Sequence, residues 1–332
     1  MKQICIIGIG IILALVACNR PGPGTGKLFE KRATGLPYEV VVVMENGLWK
    51  GHVGDAVYAQ LTAPVPALPQ SEPKMKVMHV TSDDFNGLMK YVRNVLLVDV
   101  NPKLYTRVSL QSKQDEWASG QLVQVLTAPD TTELLASLAA QQIDLTARFD
   151  QAEQERRKTY LQQTHNSWVK EQVHTQFGAT LLAPEEITSS KTGSHFLWVS
   201  DNANRGRSDL LVYSFPWQAD EPWTEAAWIA RRDSVLQRNL PGSFEGSYMT
   251  TETRMPPLFT ATAATDGLGG TLRGLWRMQG DMMGGPFVSR ALYDAEQQRM
   301  IVVEGFVYAP ESNKAPLIHK LEASLTTFRL DK

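Results

Sequence analysis

The chain has 332 residues and two cysteines, with 33 Lys+Arg against 35 Asp+Glu. Hydrophobic residues at 43% and charged residues at 20% exclude a disordered chain and a polytopic membrane protein. A pI near 6.3 excludes the strong basic excess of a general nucleic-acid binder. From the N-terminus, Met1-Lys2-Gln3 carries one positive charge and Ile4 to Val16 is almost wholly apolar. That run is too short for a comfortable permanent span of a bilayer core about 30 Å thick, and it reads as a secretory signal. Ile6-Ile7-Gly8-Ile9-Gly10-Ile11 mimics a dinucleotide-binding fingerprint, but Leu13 stands at the third glycine and no amphipathic helix follows.

Leu15-Val16-Ala17-Cys18 closes the signal and resembles the lipobox of bacterial lipoproteins. The resemblance implies cleavage after residue 17, acylation of Cys18 and stable membrane anchoring through more than one acyl chain. Asn19, not Asp, follows the cysteine, which by the same resemblance favours the outer membrane with the globular part facing the periplasm. Cys5 leaves with the signal, so no thiol remains for disulfides, redox chemistry or cysteine-ligated zinc.

Residues 18–36, rich in Gly and Pro, are expected to form a tether. An N-terminal domain is expected over 37–178 and a C-terminal domain over 179–332. The fold class is α+β: two sandwich-type domains with mostly antiparallel sheets, joined through a long helix. In the first domain, strands are expected at 38–44, 74–80, 94–100, 104–111 and 120–128. Helices are expected at 48–61 and near Ser82, with a Pro-rich crossing segment at 64–73. Asp130 and Glu133 form a capping box for a helix running towards Gly178, broken near His165-Asn166-Ser167. Its polar middle, Gln151 to Lys158, is expected to project from the body. The second half reads as strands at 179–183, 195–200, 208–215, 248–254, 270–280, 286–293 and 299–309. Helices are expected at 224–239 and 313–328.

Several constellations lack the context their chemistry needs. Ser71-Glu72-Pro73-Lys74, Lys191-Thr192-Gly193 and Ser200-Asp201-Asn202 echo penicillin-recognising serine enzymes, but their order is wrong and Ser71 lies in a Pro-rich segment rather than on a helix. Glu171 and His174 are one helical turn apart, yet a metal bundle needs a second such pair, so a solvated helix face is expected and no metal or other cofactor is implied. Gly267, Gly269, Gly270, Gly284 and Gly285 read as hairpin turns.

The C-terminal half holds the candidate site. Trp198, Trp217, Trp223, Trp228 and Trp276 are interleaved with arginines. Arg232 interrupts the apolar stripe of helix 224–239, and Glu304 shares a strand face with Val302, Phe306 and Tyr308. Charges so placed need partners, so Arg232, Arg273 or Arg277 is expected to meet Glu304. Either the pair fixes registry, or it belongs to a cleft including Asp281 and Tyr248 that takes an anionic or glycan-like ligand. A hydrolase using Glu304 and Asp281 is the catalytic alternative.

Gly51-His52-Val53-Gly54-Asp55, Phe85-Asn86-Gly87-Leu88, Arg93-Asn94-Val95-Leu96, Ala230 to Val235, Gly246 to Glu252, Gly274-Leu275-Trp276, Gly280 to Phe287 and Val303 to Pro310 are similar to a bacterial lipoprotein family. It is known as domain of unknown function 4837, and the similarity extends over most of the mature chain. The family implies no catalytic residues. The C-terminal strand–helix order also resembles the PsbP and Mog1 group, which implies an accessory or binding role. The expectation is therefore a non-catalytic, lipid-anchored envelope protein with a membrane contact at Cys18 and a protein partner, and no nucleic acid. A structural spacer between envelope layers is a third reading.

Overall fold

A computed structural model describes residues 31–262 and 268–331. The signal, Cys5, Cys18, most of the tether and Gly267 lie outside the described residues. No helix among the described residues is long and apolar enough to cross a membrane.

The first domain begins with β1 (Glu39–Val43), α1 (Asn46–Trp49), α2 (His52–Leu61) and β2 (Lys76–Val80). Next come β3 (Asn94–Val100), β4 (Ser109–Gln114), β5 (Leu122–Ala128), α3 (Thr131–Ala139) and α4 (Ala147–Thr164). The sheet order is β2-β1-β3-β5-β4. The β-branched run Val40–Val43 is buried on both faces, as a central strand requires. One face of the sheet packs Val42, Leu96 and Leu126 against α2, α3 and the start of α4. The other packs Val41, Val95 and Val123 beneath Phe85 and Trp117.

Three features of this domain differ from the sequence reading. β1 pairs in parallel with β2 and β3, and β3 in parallel with β5, because α1, α2 and the other long connections return the chain to the same end of the sheet. The helix expected near Ser82 is a short 3-10 turn at Gly87–Tyr91; Gly87 has a φ of +55°, which stops a helix from running through. The polar middle of α4 does not project. Glu153 is buried there, accepting hydrogen bonds from Asn94 (2.8 Å) and Arg156 (2.7 Å) and ion-pairing with Arg93.

The second domain comprises α5 (Ser167–Phe177), β6 (Ala179–Thr180), β7 (Ser189–Gly193), β8 (Phe196–Ser200), β9 (Arg207–Pro216), α6 (Glu225–Asn239), β10 (Tyr248–Thr251) and β11 (Leu258–Ala261). The long strands β12 (Gly269–Gln279), β13 (Gly284–Asp294) and β14 (Arg299–Tyr308) follow, then α7 (Ala315–Thr326) and β15 (Arg329–Leu330). The main sheet is antiparallel, in the order β10-β12-β13-β14-β9-β8-β7, with β11 added on β12. Gly269, Gly270, Gly284 and Gly285 therefore lie within strands; the β12–β13 turn uses Gly280, whose φ is +80°.

This sheet is sandwiched. Val288, Ile301 and Val303 pack on one face against α5 and α7; Phe287, Val302 and Phe306 pack on the other against α6. α7 comes close to β14 because residue 305 is glycine: a Cβ there would lie 2.7 Å from the Leu321 Cβ. The buried face of α5 (Val169, Val173, Phe177) belongs to this second core, so the division between domains falls at the α4–α5 break rather than at Gly178.

The domains interlock. Val65 and Leu68 of the Pro-rich segment insert into the C-terminal core. The buried Glu72 carboxylate accepts the backbone N–H of Lys314 (2.7 Å) and of Ala315 (2.9 Å), capping α7 from the other domain.

Candidate functional site

The six residues singled out in the C-terminal half separate into four places. Arg232 and Glu304 meet in the core between α6 and β14, both 0% exposed. Arg232 donates through Nε and Nη2 to the two carboxylate oxygens at 2.8 and 2.7 Å. Its Nη1 donates to Thr251 Oγ1 (2.8 Å), Ser289 Oγ donates to Glu304 Oε2 (2.7 Å), and the guanidinium covers the Phe287 ring at 3.7 Å. This two-pronged fork with its remaining valences filled is the geometry that lets a buried pair repay its desolvation.

Arg273 pairs instead with Glu322 of α7, on the opposite face of the sheet. Arg277 donates to Gln279 at the surface, and Tyr248 opens β10 opposite Gln279. Asp281 lies in the β12–β13 turn, accepting the N–H of Ser243 (3.2 Å) and Met282 (2.6 Å), bonds that hold its carboxyl below the usual value. Glu304 is opposite Ser289, whereas Asp281 lies beyond Gly284 on the same hairpin. At about 3.3 Å per residue their backbone positions are roughly 17 Å or more apart, and Glu304 is sealed in the core while Asp281 lies in an exposed turn, so the two do not face one pocket as a glycosidase pair must. They form no catalytic dyad.

The structure brings together a different set of residues. Between the domains lies a cleft of about 720 Å³, in the range of small-molecule sites. Its N-terminal wall presents Tyr38, Lys74, Asp144 and Asp150; its C-terminal wall presents Thr271, Arg273 and Arg290 of the sheet and His319, Glu322 and Thr326 of α7. The Tyr38 and His319 rings stack across the domain boundary at 3.8 Å, nearly parallel at 15°. Glu322 ties Arg273 to His319, whose Nδ1 lies 3.0 Å from it. The other ring nitrogen, His319 Nε2, is buried without a hydrogen-bond partner among the described residues.

Charge in this cleft is only partly matched. Asp144 is committed: it accepts from Thr146 N (2.8 Å), Thr146 Oγ1 (2.8 Å) and Ala147 N (3.0 Å) at the start of α4. Partial burial opposes its ionisation, but those bonds and Lys74 hold its carboxyl below the usual range. Asp150, one turn further on, forms no ion pair among the described residues. It stays open to solvent, yet desolvation by the surrounding walls, then repulsion from Glu322, raise it above an ordinary aspartate. His319, Tyr38 and Lys74 act in the opposite direction. Burial first, and the Asp150 charge second, push the Tyr38 hydroxyl up, so it remains a neutral donor and accepts from Gln154 (2.9 Å). Arg290 is likewise without a carboxylate partner among the described residues; burial lowers it, and one Nη donates to the Leu325 carbonyl at 3.3 Å.

None of the motif echoes assembles. Lys191 donates to the Asn239 carbonyl (2.6 Å), and His174 bonds Asp331 (2.7 Å) instead of sharing a metal with Glu171. Among the described residues no group of His, Cys, Asp and Glu is arranged to hold a metal ion.

This is a two-domain α+β protein with an interdomain cleft. Residues 166–327 match the family model "Domain of unknown function (DUF4837)", and residues 33–162 match "Domain of unknown function (DUF8532)". The resemblance to family 4837 is thus shown for the C-terminal domain. The segments at 51–55, 85–88 and 93–96 fall within the second family model. No curated protein matches the chain. Among solved structures, the Ran-binding protein Mog1p of Saccharomyces cerevisiae aligns at a TM-score of 0.33 and 7% identity, covering 47% of this chain and 91% of that one. A point mutant of Mog1 aligns at 0.32 and 7%, covering 47% and 92%.

Proposed function

We propose that the protein is a non-catalytic binding lipoprotein of the cell envelope, held to the outer membrane through acylated Cys18, with its globular part in the periplasm. The supporting observation is the interdomain cleft, where Asp150, Lys74 and Arg290 stand without ion pairs among the described residues. Unmatched charge in a cavity of this size is kept at a cost in stability, which a binding role accounts for and a spacer role does not. Catalysis by Glu304 finds no support, since both its oxygens are engaged inside the core.

The anchor and the binding role are tested together. Cells expressing the tagged full chain are fed an alkyne fatty acid, fractionated and crosslinked. The native protein should carry the label, sediment with the outer membrane and retain a bound species on purification; Cys18→Ala should lose the label and the membrane. Unlabelled native protein in the soluble fraction would overturn the anchored reading.

A further inference from the structure

The chemistry of the cleft narrows the ligand, if the binding reading above holds. The charges lining the cleft leave each wall one short, with opposite sign: Asp144 and Asp150 of the first domain stand against Lys74 alone, and Arg273 and Arg290 of the second against Glu322 alone, so that Asp150 on α4 and Arg290 on β13 face each other without ion pairs among the described residues. A simple anion would meet Arg290 but face Asp144 and Asp150; a simple cation would meet Asp150 but face Arg290. A neutral ligand would displace water from both charges and return only uncharged hydrogen bonds. A molecule with both an ammonium and a carboxylate satisfies the two at once, and Arg290, with one of its donors spent on the Leu325 carbonyl, retains a fork for a carboxylate. The hydroxyls of Thr271 and Thr326, which line the same cleft, supply polar atoms for an amide backbone.

We propose that the interdomain cleft binds a zwitterion, a free amino acid or short unblocked peptide, with the ammonium at Asp150 and the carboxylate at Arg290. The groups facing Asp150 then have distinct duties. Tyr38 and Lys74 hold it from its own domain, while His319 and Glu322 face it from α7. The incoming ammonium replaces the opposing charge that Lys74, which forms no ion pair with it, leaves incomplete.

The test uses the full chain in detergent and equilibrium dialysis read by mass spectrometry. The probes are a mixture of di- and tripeptides of Ala, Glu and Lys, the same mixture N-acetylated, the same mixture C-amidated, and the neutral trisaccharide N,N′,N″-triacetylchitotriose. The expected result is retention of unblocked peptides, weakened at least tenfold by either block. Asp150→Asn should abolish the discrimination against acetylation, and Arg290→Gln the discrimination against amidation. Equal retention of blocked and unblocked peptides overturns the proposal without needing any variant. Retention of triacetylchitotriose alone also overturns it, while leaving the binding reading intact. Retention of nothing overturns it too, and only if the native protein also retains no species on purification from cells does the binding reading fall with it.

Discussion

At the scale of single residues, Arg232 and Asp150 show opposite uses of charge. Arg232 is sealed and fully bonded, so removing it strands the Glu304 carboxylate in the core. Arg232→Met should cost about 3–5 kcal/mol in urea unfolding, whereas Arg232→Met combined with Glu304→Leu should recover much of that loss. Asp150 is the reverse, a carboxylate whose ionised form the fold disfavours. Its folded value is raised, so its ionisation costs stability at neutral pH, and the cost disappears as pH falls below the usual value near 3.8. Asp150→Asn should therefore raise the melting temperature at pH 7–8, with no difference from the parent at pH 3. Parallel melting curves across that whole range would contradict this. The Arg232–Glu304 contact was legible in the sequence because each charge breaks an apolar pattern. The cleft was not: Tyr38, Asp150, Arg290 and His319 come from well-separated stretches of chain, and of the six residues the sequence singled out only Arg273 lines it.

At the scale of elements, strands with a strong pattern could be read and those without one could not. β3, Asn94–Val100, matches its expected bounds because apolar residues dominate it and Asn94 starts it. β7, Ser189–Gly193, was missed because its residues are polar and largely exposed at a sheet edge, where pairing alone, not burial, makes the strand. The α4 error has a similar cause: a polar run signals solvent unless its partners, here Arg93 and Asn94, are known to be near. Gly285 shows what an element can demand of one position. It sits opposite Trp276, whose indole N–H donates to the Val307 carbonyl at 3.2 Å, and an added Cβ would lie 2.1 Å from that same oxygen. Gly285→Ala should thus lower the urea midpoint by an amount worth about 1–3 kcal/mol, by forcing β13 away from β14.

At the scale of the whole molecule, the cleft exists because the two domains are held in one arrangement. Glu72 is central to that hold, and its two charged hydrogen bonds to α7 predict that Glu72→Ala costs about 2–3 kcal/mol. The variant should also unfold in two steps where the parent unfolds in one, a difference that calorimetry resolves. The Pro-rich segment that carries Glu72 has a consequence for how the protein is made. Because Val65 and Leu68 are part of the later domain's interior, residues 166–331 expressed alone would carry an open slot in their core. On a growing chain, that plug is already synthesised when the sheet it completes is still being translated. The stiff prolines keep it extended in the meantime, so the first half of the protein acts as a built-in template for the second.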